Sequence, residues 1–173
     1  MSENNGAILG VGNILHRDDG IGVKLLKYLD AQYQFPDNVS LVDGGTVGAQ
    51  LDSSIVNKDW LVILDAVDVA GNPGDVKHLT GDQFINRQGK PKMSPHQVGF
   101  LDLIQLMKLE GTEPAELNFI GVIPEHTTEG IEISPIVDQA MGSVITKLLE
   151  LLKQKDIVPV KRDPPNKPDY WWM

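Results

Sequence analysis

Residues 60–65 read WLVILD, five apolar residues closed by one acid. A strand with one wet face alternates apolar and polar side chains, whereas a strand covered on both faces is apolar throughout. Working outward from it, residues 7–11 (AILGV) form a second continuous run, broken by Gly12-Asn13. Residues 39–42 (VSLV) form a third, ending in Asp43-Gly44-Gly45, and residues 117–123 (LNFIGVI) a fourth. Residues 76–79 are a poorer candidate behind the turn signal Asn72-Pro73-Gly74.

The intervening segments repeat at helical spacing. Ile21, Leu25, Leu26 and Leu29 make one stripe, and Leu51 and Ile55 a weak second one within 48–57. In 95–109 the expected core stripe is Leu101, Ile104, Leu106 and Met107. Ser134-Pro135 opens a long helix carrying Val137, Met141, Val144, Ile145, Leu148 and Leu152. Apolar strands separated by helices imply an α/β fold of three layers: a mostly parallel five-stranded sheet with helices on both faces. Its strands are expected near 7–12, 39–43, 60–65, 74–80 and 117–123. The weak pattern of 74–80 leaves an antiparallel edge position open to it.

Composition narrows the function classes. A chain of 173 residues is expected to form one domain, burying roughly 70% of the surface its unfolded form exposes. The net charge of -9 argues against a nucleic-acid binder, which concentrates Lys and Arg to displace counterions. With no cysteine, disulfides, thiolate metal sites and a Cys nucleophile are excluded. MSENNGAILG at the amino end lacks a basic n-region and a long apolar stretch, and no window is apolar enough to span a membrane. A cytoplasmic protein is expected. Residues 1–155 are read as a single α/β domain. Residues 156–173 are a tail too rich in Pro and charge to continue the last helix, expected to be dispensable for the fold. Its Tyr170, Trp171 and Trp172 are costly to leave in water and suit docking on the domain or on a partner.

The polar residues fall at strand ends. Asn13, Asp43, Asp65 and Glu125 each lie at or just beyond the carboxyl end of an expected strand, the edge where open α/β sheets bind ligands. Asp18 and Asp19 open the first helix, where one Asp suffices as a cap, leaving the other available as a ligand or catalytic group. Asp65 ends its strand, and Asp68 is the better candidate for a purely local turn role. Ser94-Pro95-His96-Gln97 reads as a capping box with Pro at the first helical position. His96 then sits in the first turn, where the helix dipole disfavours a positive imidazole, and the neutral ring is the metal-binding form. Against this, a surface histidine is the commoner case; His16 is read as a rim residue, and His78 and His126 as surface ones.

Two carboxylates with one imidazole suit zinc, nickel, iron or manganese, and three protein ligands leave positions for water or substrate. A dinucleotide site is the rival reading, since Gly10-Val11-Gly12 follows a strand. It fails because Leu15 stands at the third glycine and two acids face the place a pyrophosphate needs. A non-catalytic metal-sensing module or chaperone is a second alternative, because the same crevice can hold a cation without cutting anything.

Five segments in register carry a family resemblance: LGVGNILHRDDGIGV, LVDGGTVG, LVILDAVD, MSPHQVGFLDLI and NFIGVIPE. Together they cover about residues 7–150 and resemble the hydrogenase maturation endopeptidases. The resemblance implies one endoproteolytic cut that removes the C-terminal extension of a nickel–iron hydrogenase large-subunit precursor once it is nickel-loaded. It also implies a metal and catalytic set of Asp19, Asp65 and His96. The nickel is expected to arrive with the precursor, and zinc or another divalent cation to substitute for it. Members are often classed as aspartic-type peptidases, yet this chain has no pair of Asp-Thr-Gly segments from which to build a pepsin-like dyad. The first ligand is Glu in some members and Asp in others; with Asp19 the reach is one methylene shorter, and Asp18 is adjacent.

Overall fold

The computed structural model describes residues 4–45, 52–86 and 95–173. The chain runs through β1 (Gly6–Val11), a 3-10 turn (Arg17–Gly20), α1 (Ile21–Gln32), β2 (Tyr33–Gln34) and β3 (Val39–Gly45). It continues with α2 (Asp52–Ile55), β4 (Trp60–Ala66), β5 (Val76–Thr80), α3 (Gly81–Ile85) and α4 (Pro95–Glu110). It ends with β6 (Glu116–Val122), α5 (Pro135–Lys153) and β7 (Val160–Lys161). The sheet order is β3-β1-β4-β6-β5. The first four strands are parallel and β5 is the antiparallel edge.

Alternation along each covered strand divides the core in two. Ile8, Trp60, Val62, Leu64, Ile120 and Val122 face the stripes of α1 and α5, where Leu25, Leu29, Val137, Val144 and Leu148 are buried. Ala7, Leu9, Leu61, Ile63 and Phe119 face the other way, against Ile55, Phe84, Phe100, Ile104 and Met107. Both faces are therefore dry, which is why these strands carry no polar alternation. Each Leu or Phe side chain so covered contributes about 1.5–3 kcal/mol.

Several expectations need correction. In α4 the buried positions are Phe100, Leu103, Ile104 and Met107, whereas Leu106 is 46% exposed. The helix is rotated so that the 97, 100, 104, 107 line faces the sheet, and this rotation brings Gln97 inward. The expected helix over 48–57 is α2, described from residue 52. α3 was not anticipated, although Thr80 and Gln83 form a true capping box at its start. The tail is also tied down more firmly than its composition suggests. Asp156, at φ 60, turns the chain after α5 and returns Ile157 to the core at 4% exposure. β7 then pairs with β2, while Arg162 and Asn166 donate backbone bonds to Gln32 and Ala31.

Candidate active site

Loops from β1, β4 and β6 meet at the carboxyl edge of the sheet, and α1 is pressed into that edge. Gly22 makes the close approach possible: a Cβ there would lie 2.1 Å from the Leu64 carbonyl oxygen and 2.3 Å from that of Val11. The 3-10 turn preceding α1 accordingly packs against β4, the strand that ends in Asp65. Gly12 has the same importance one loop earlier. Its φ is +133, and a Cβ would come within 1.8 Å of the Asp19 carbonyl oxygen, so the β1 loop can cradle the turn only with glycine there.

Asp18 and Asp19 point to different places. Asp19 is partly exposed, and its Oδ2 accepts a 3.1 Å bond from the Asn13 backbone N–H. Asp18 is fully buried. Its Oδ1 accepts from the Ser134 backbone N–H, and its Oδ2 from the backbone N–H groups of Glu125 and His126 and from the Ser134 hydroxyl. Asp18 is thus occupied by the loop between β6 and α5 and is not placed to substitute for Asp19. Neither acid caps α1 through its side chain, since the residue before that helix is Gly20.

Asp65 has no exposed surface. Its Oδ1 accepts from the Ala66 N–H at 2.7 Å and its Oδ2 from the Gln97 amide at 3.0 Å. The same amide nitrogen donates to the Ala66 carbonyl at 2.9 Å. Below lies an apolar floor of Val11, Ile63, Phe84, Phe100 and Phe119. A carboxylate over such a floor depends on its hydrogen-bond donors to stay there. Gln97 is the residue that sequence reasoning missed as a site member, having assigned it to a capping box with Ser94. Ser94 lies outside the described residues.

His96 occupies the first turn of α4, one position before Gln97; its side chain lies outside the described residues. Through Gln97 the start of α4 is joined to the end of β4, so the backbone of His96 is held at the same edge as Asp65. The remaining candidates are peripheral. Asp43 accepts from the Gly45 N–H and pairs with Lys27 at 3.4 Å. Glu125 lies 3.9 Å from the exposed His126 ring. His16 is exposed, and His78 bonds Asn118 at 2.8 Å within the β5–β6 pair.

The comparisons with known proteins agree with one another. The profile described as hydrogenase maturation protease matches residues 23–151. The chain is 33% identical to the hydrogenase 2 maturation protease of Escherichia coli, covering 90% of this chain and 95% of that one. It is 37% identical to the hydrogenase expression/formation protein HoxM of Azotobacter vinelandii, over 94% of this chain and 79% of the relative. Among solved structures, the hydrogenase maturating endopeptidase HybD from E. coli superposes with a TM-score of 0.85 at 33% identity. That match covers 92% of this chain and 99% of the other. A nickel–iron hydrogenase maturation protease from Thermococcus kodakarensis gives 0.72 at 27% identity, over 85% and 98%.

Proposed function

Since the chain belongs to the hydrogenase maturation protease family, we propose that it is the endopeptidase that removes the C-terminal extension of a nickel-loaded hydrogenase large-subunit precursor. The observation that carries this reading is the carboxyl edge of the sheet, where Asp19, Asp65 and the first turn of α4 with His96 are fixed by neighbouring loops. The two carboxylates and the imidazole are assigned as the ligands of the cation that the precursor brings. Oxygen and nitrogen donors in this ratio suit nickel and also accept zinc.

The chemistry is the hydrolysis of one peptide bond: water adds its OH to the acyl carbon, and the leaving amine takes the proton. The chain contains no Cys, and the motifs signal no Ser or Thr nucleophile. Its own contribution is to hold the precursor's cation so that the scissile carbonyl is oriented and polarised for water attack. Asp65 is fully buried, held by the Ala66 N–H and the Gln97 amide at the edge where the substrate is proposed to bind. A cut made conditional on the loaded cation restricts processing to finished precursor. Among the described residues no helix is long and apolar enough to cross a membrane, and the cytoplasm is the proposed location. The reading as a non-catalytic module is not favoured, because relatives covering nearly the whole chain are named proteases.

The test is incubation of the purified protein with nickel-loaded and nickel-free precursor, followed by intact mass. One discrete C-terminal fragment released only from loaded precursor is expected. Full cleavage of the nickel-free form refutes the mechanism, and no cleavage of either form favours the binding module.

A further inference from the structure

We propose that Asp18 is a positioning residue for the cleavage reaction, setting the place of Asp19 by clamping the catalytic turn to the loop between β6 and α5. The inference rests on the assignment of Asp19 to the site made above.

The turn that carries Asp19 is tied to its own helix by the Ile21 N–H donating to Asp18 O, and it is also held from outside. Arg17, immediately before the two acids, has φ 49, a left-handed conformation that a non-glycine residue keeps only when its surroundings over-determine it. The surroundings here are residues 125–134. The Arg17 N–H donates to Gly130 O at 2.8 Å, the Asp18 N–H to His126 O at 3.1 Å and the Gly130 N–H to Leu15 O at 2.9 Å. The Asp18 carboxylate adds four more bonds of 2.6 to 2.9 Å, all to Glu125, His126 and Ser134. Every donor comes from a segment more than one hundred residues further along the chain.

This demand diverts Ser134 from its ordinary role. Ser134 precedes α5 at the N-cap position, yet its side chain makes no capping bond; the hydroxyl goes to Asp18 instead. A helix cap has been exchanged for a tie to the catalytic turn. Asp19 is the next residue on that turn, with its carboxylate turned toward the Asn13 N–H rather than into the clamp. Its Cα cannot move without moving the residue locked beside it. The clamp also fixes the backbone of Glu125 at the same sheet edge.

Asp18→Asn keeps the shape. With its oxygen at the Oδ2 position three bonds survive, but its amide then confronts the Ser134 N–H, so the clamp loosens without a cavity. The expected result is a fall in kcat of about 10-fold to 100-fold with KM changed less than about twofold, the pattern of a displaced reacting group. The control is Leu148→Ala, a buried truncation near the far end of α5. Assayed below both melting points, it should keep kcat within about twofold although it costs stability. The inference is overturned if Asp18→Asn keeps its kcat, if its loss lies in KM alone, or if Leu148→Ala loses kcat equally. Should Asp18→Asn fail to fold, Ser134→Ala removes one of the four donors and should lower kcat about threefold or more; an unchanged kcat rejects the clamp. Asp19→Asn is measured alongside. If it is fully active, the site assignment itself fails. If it is inactive while Asp18→Asn is normal, only the clamp fails.

Discussion

At the scale of single residues, the site is a set of carboxylates sorted by what their neighbours donate. Asp65 receives the Ala66 N–H and the Gln97 amide over an apolar floor. Asp65→Asn preserves shape and removes charge, so cleavage should fall at least about 100-fold while circular dichroism stays native. An equally active variant would sink the assignment. Gln97→Ala takes one donor from a buried carboxylate and should cost about 1.5–3 kcal/mol. In a chain of this size that is a melting point lower by roughly 4–10 °C, and an unchanged melting point would contradict the contact. The strand-end position marked Asp65 as a candidate in the sequence, and the structure places it buried at that strand end. Gln97 was not legible. The S-x-x-Q pattern offers a local partner for its amide, and only the rotation of α4 shows that the amide bonds Asp65 and the Ala66 carbonyl.

At the scale of elements, the apolar runs of β1, β4 and β6 match strands covered on both sheet faces, while β3, whose short run was also read as a strand, is an edge strand only partly buried. β5, at most partly buried along its length, is the antiparallel edge strand whose weak pattern left that position open. Two-residue strands such as β2 and β7 carry no periodicity at all, since their pairing is decided by where the tail returns. The sequence stripe of α4 was displaced because apolar residues outnumber the positions the sheet can cover: Leu106 and Leu109 are apolar and exposed, at 46% and 86%. Met107→Ala, at a fully buried position, should cost about 2–5 kcal/mol in urea unfolding. Leu109→Lys should lie within about 0.5 kcal/mol of the unmodified protein. If the two variants exchange these values, the helix has been placed with the wrong rotation.

At the scale of the whole molecule, the last seventeen residues form a strap along α1 rather than a loose end. Tyr170 lies beneath Lys24, 5.6 Å from its ring centroid, and Trp172 and Met173 line a small cleft with Ile14, Arg17, Ile131 and Ile133. Removing 157–173 deletes Ile157 from the core and should lower the melting temperature by roughly 5–15 °C. Removing 170–173 alone should cost less than about 4 °C. Equal losses for the two truncations would show that the aromatic end, not Ile157, anchors the strap. Burial pushes the Tyr170 hydroxyl up to about 12, with Asp138 and Tyr28 adding in the same direction. A raised folded-state value means that the stabilisation is complete below the ordinary tyrosine value of about 10 and is lost as pH rises through about 12. Tryptophan fluorescence should therefore report release of the strap between those values, and a flat signal would argue against a docked Tyr170. The strap also gives the molecule a front and a back for anyone attaching something to it. Its last residue emerges beside Ile14 and Arg17, on the loop and turn that carry Asn13 and Asp19. Asn4 and Asn5, bonded to Lys155, Lys58 and Asp59, leave from the opposite rim. A purification tag or fluorescent fusion on the carboxyl end would hang over the sheet edge proposed above as the site. The same cargo on the amino end would trail behind.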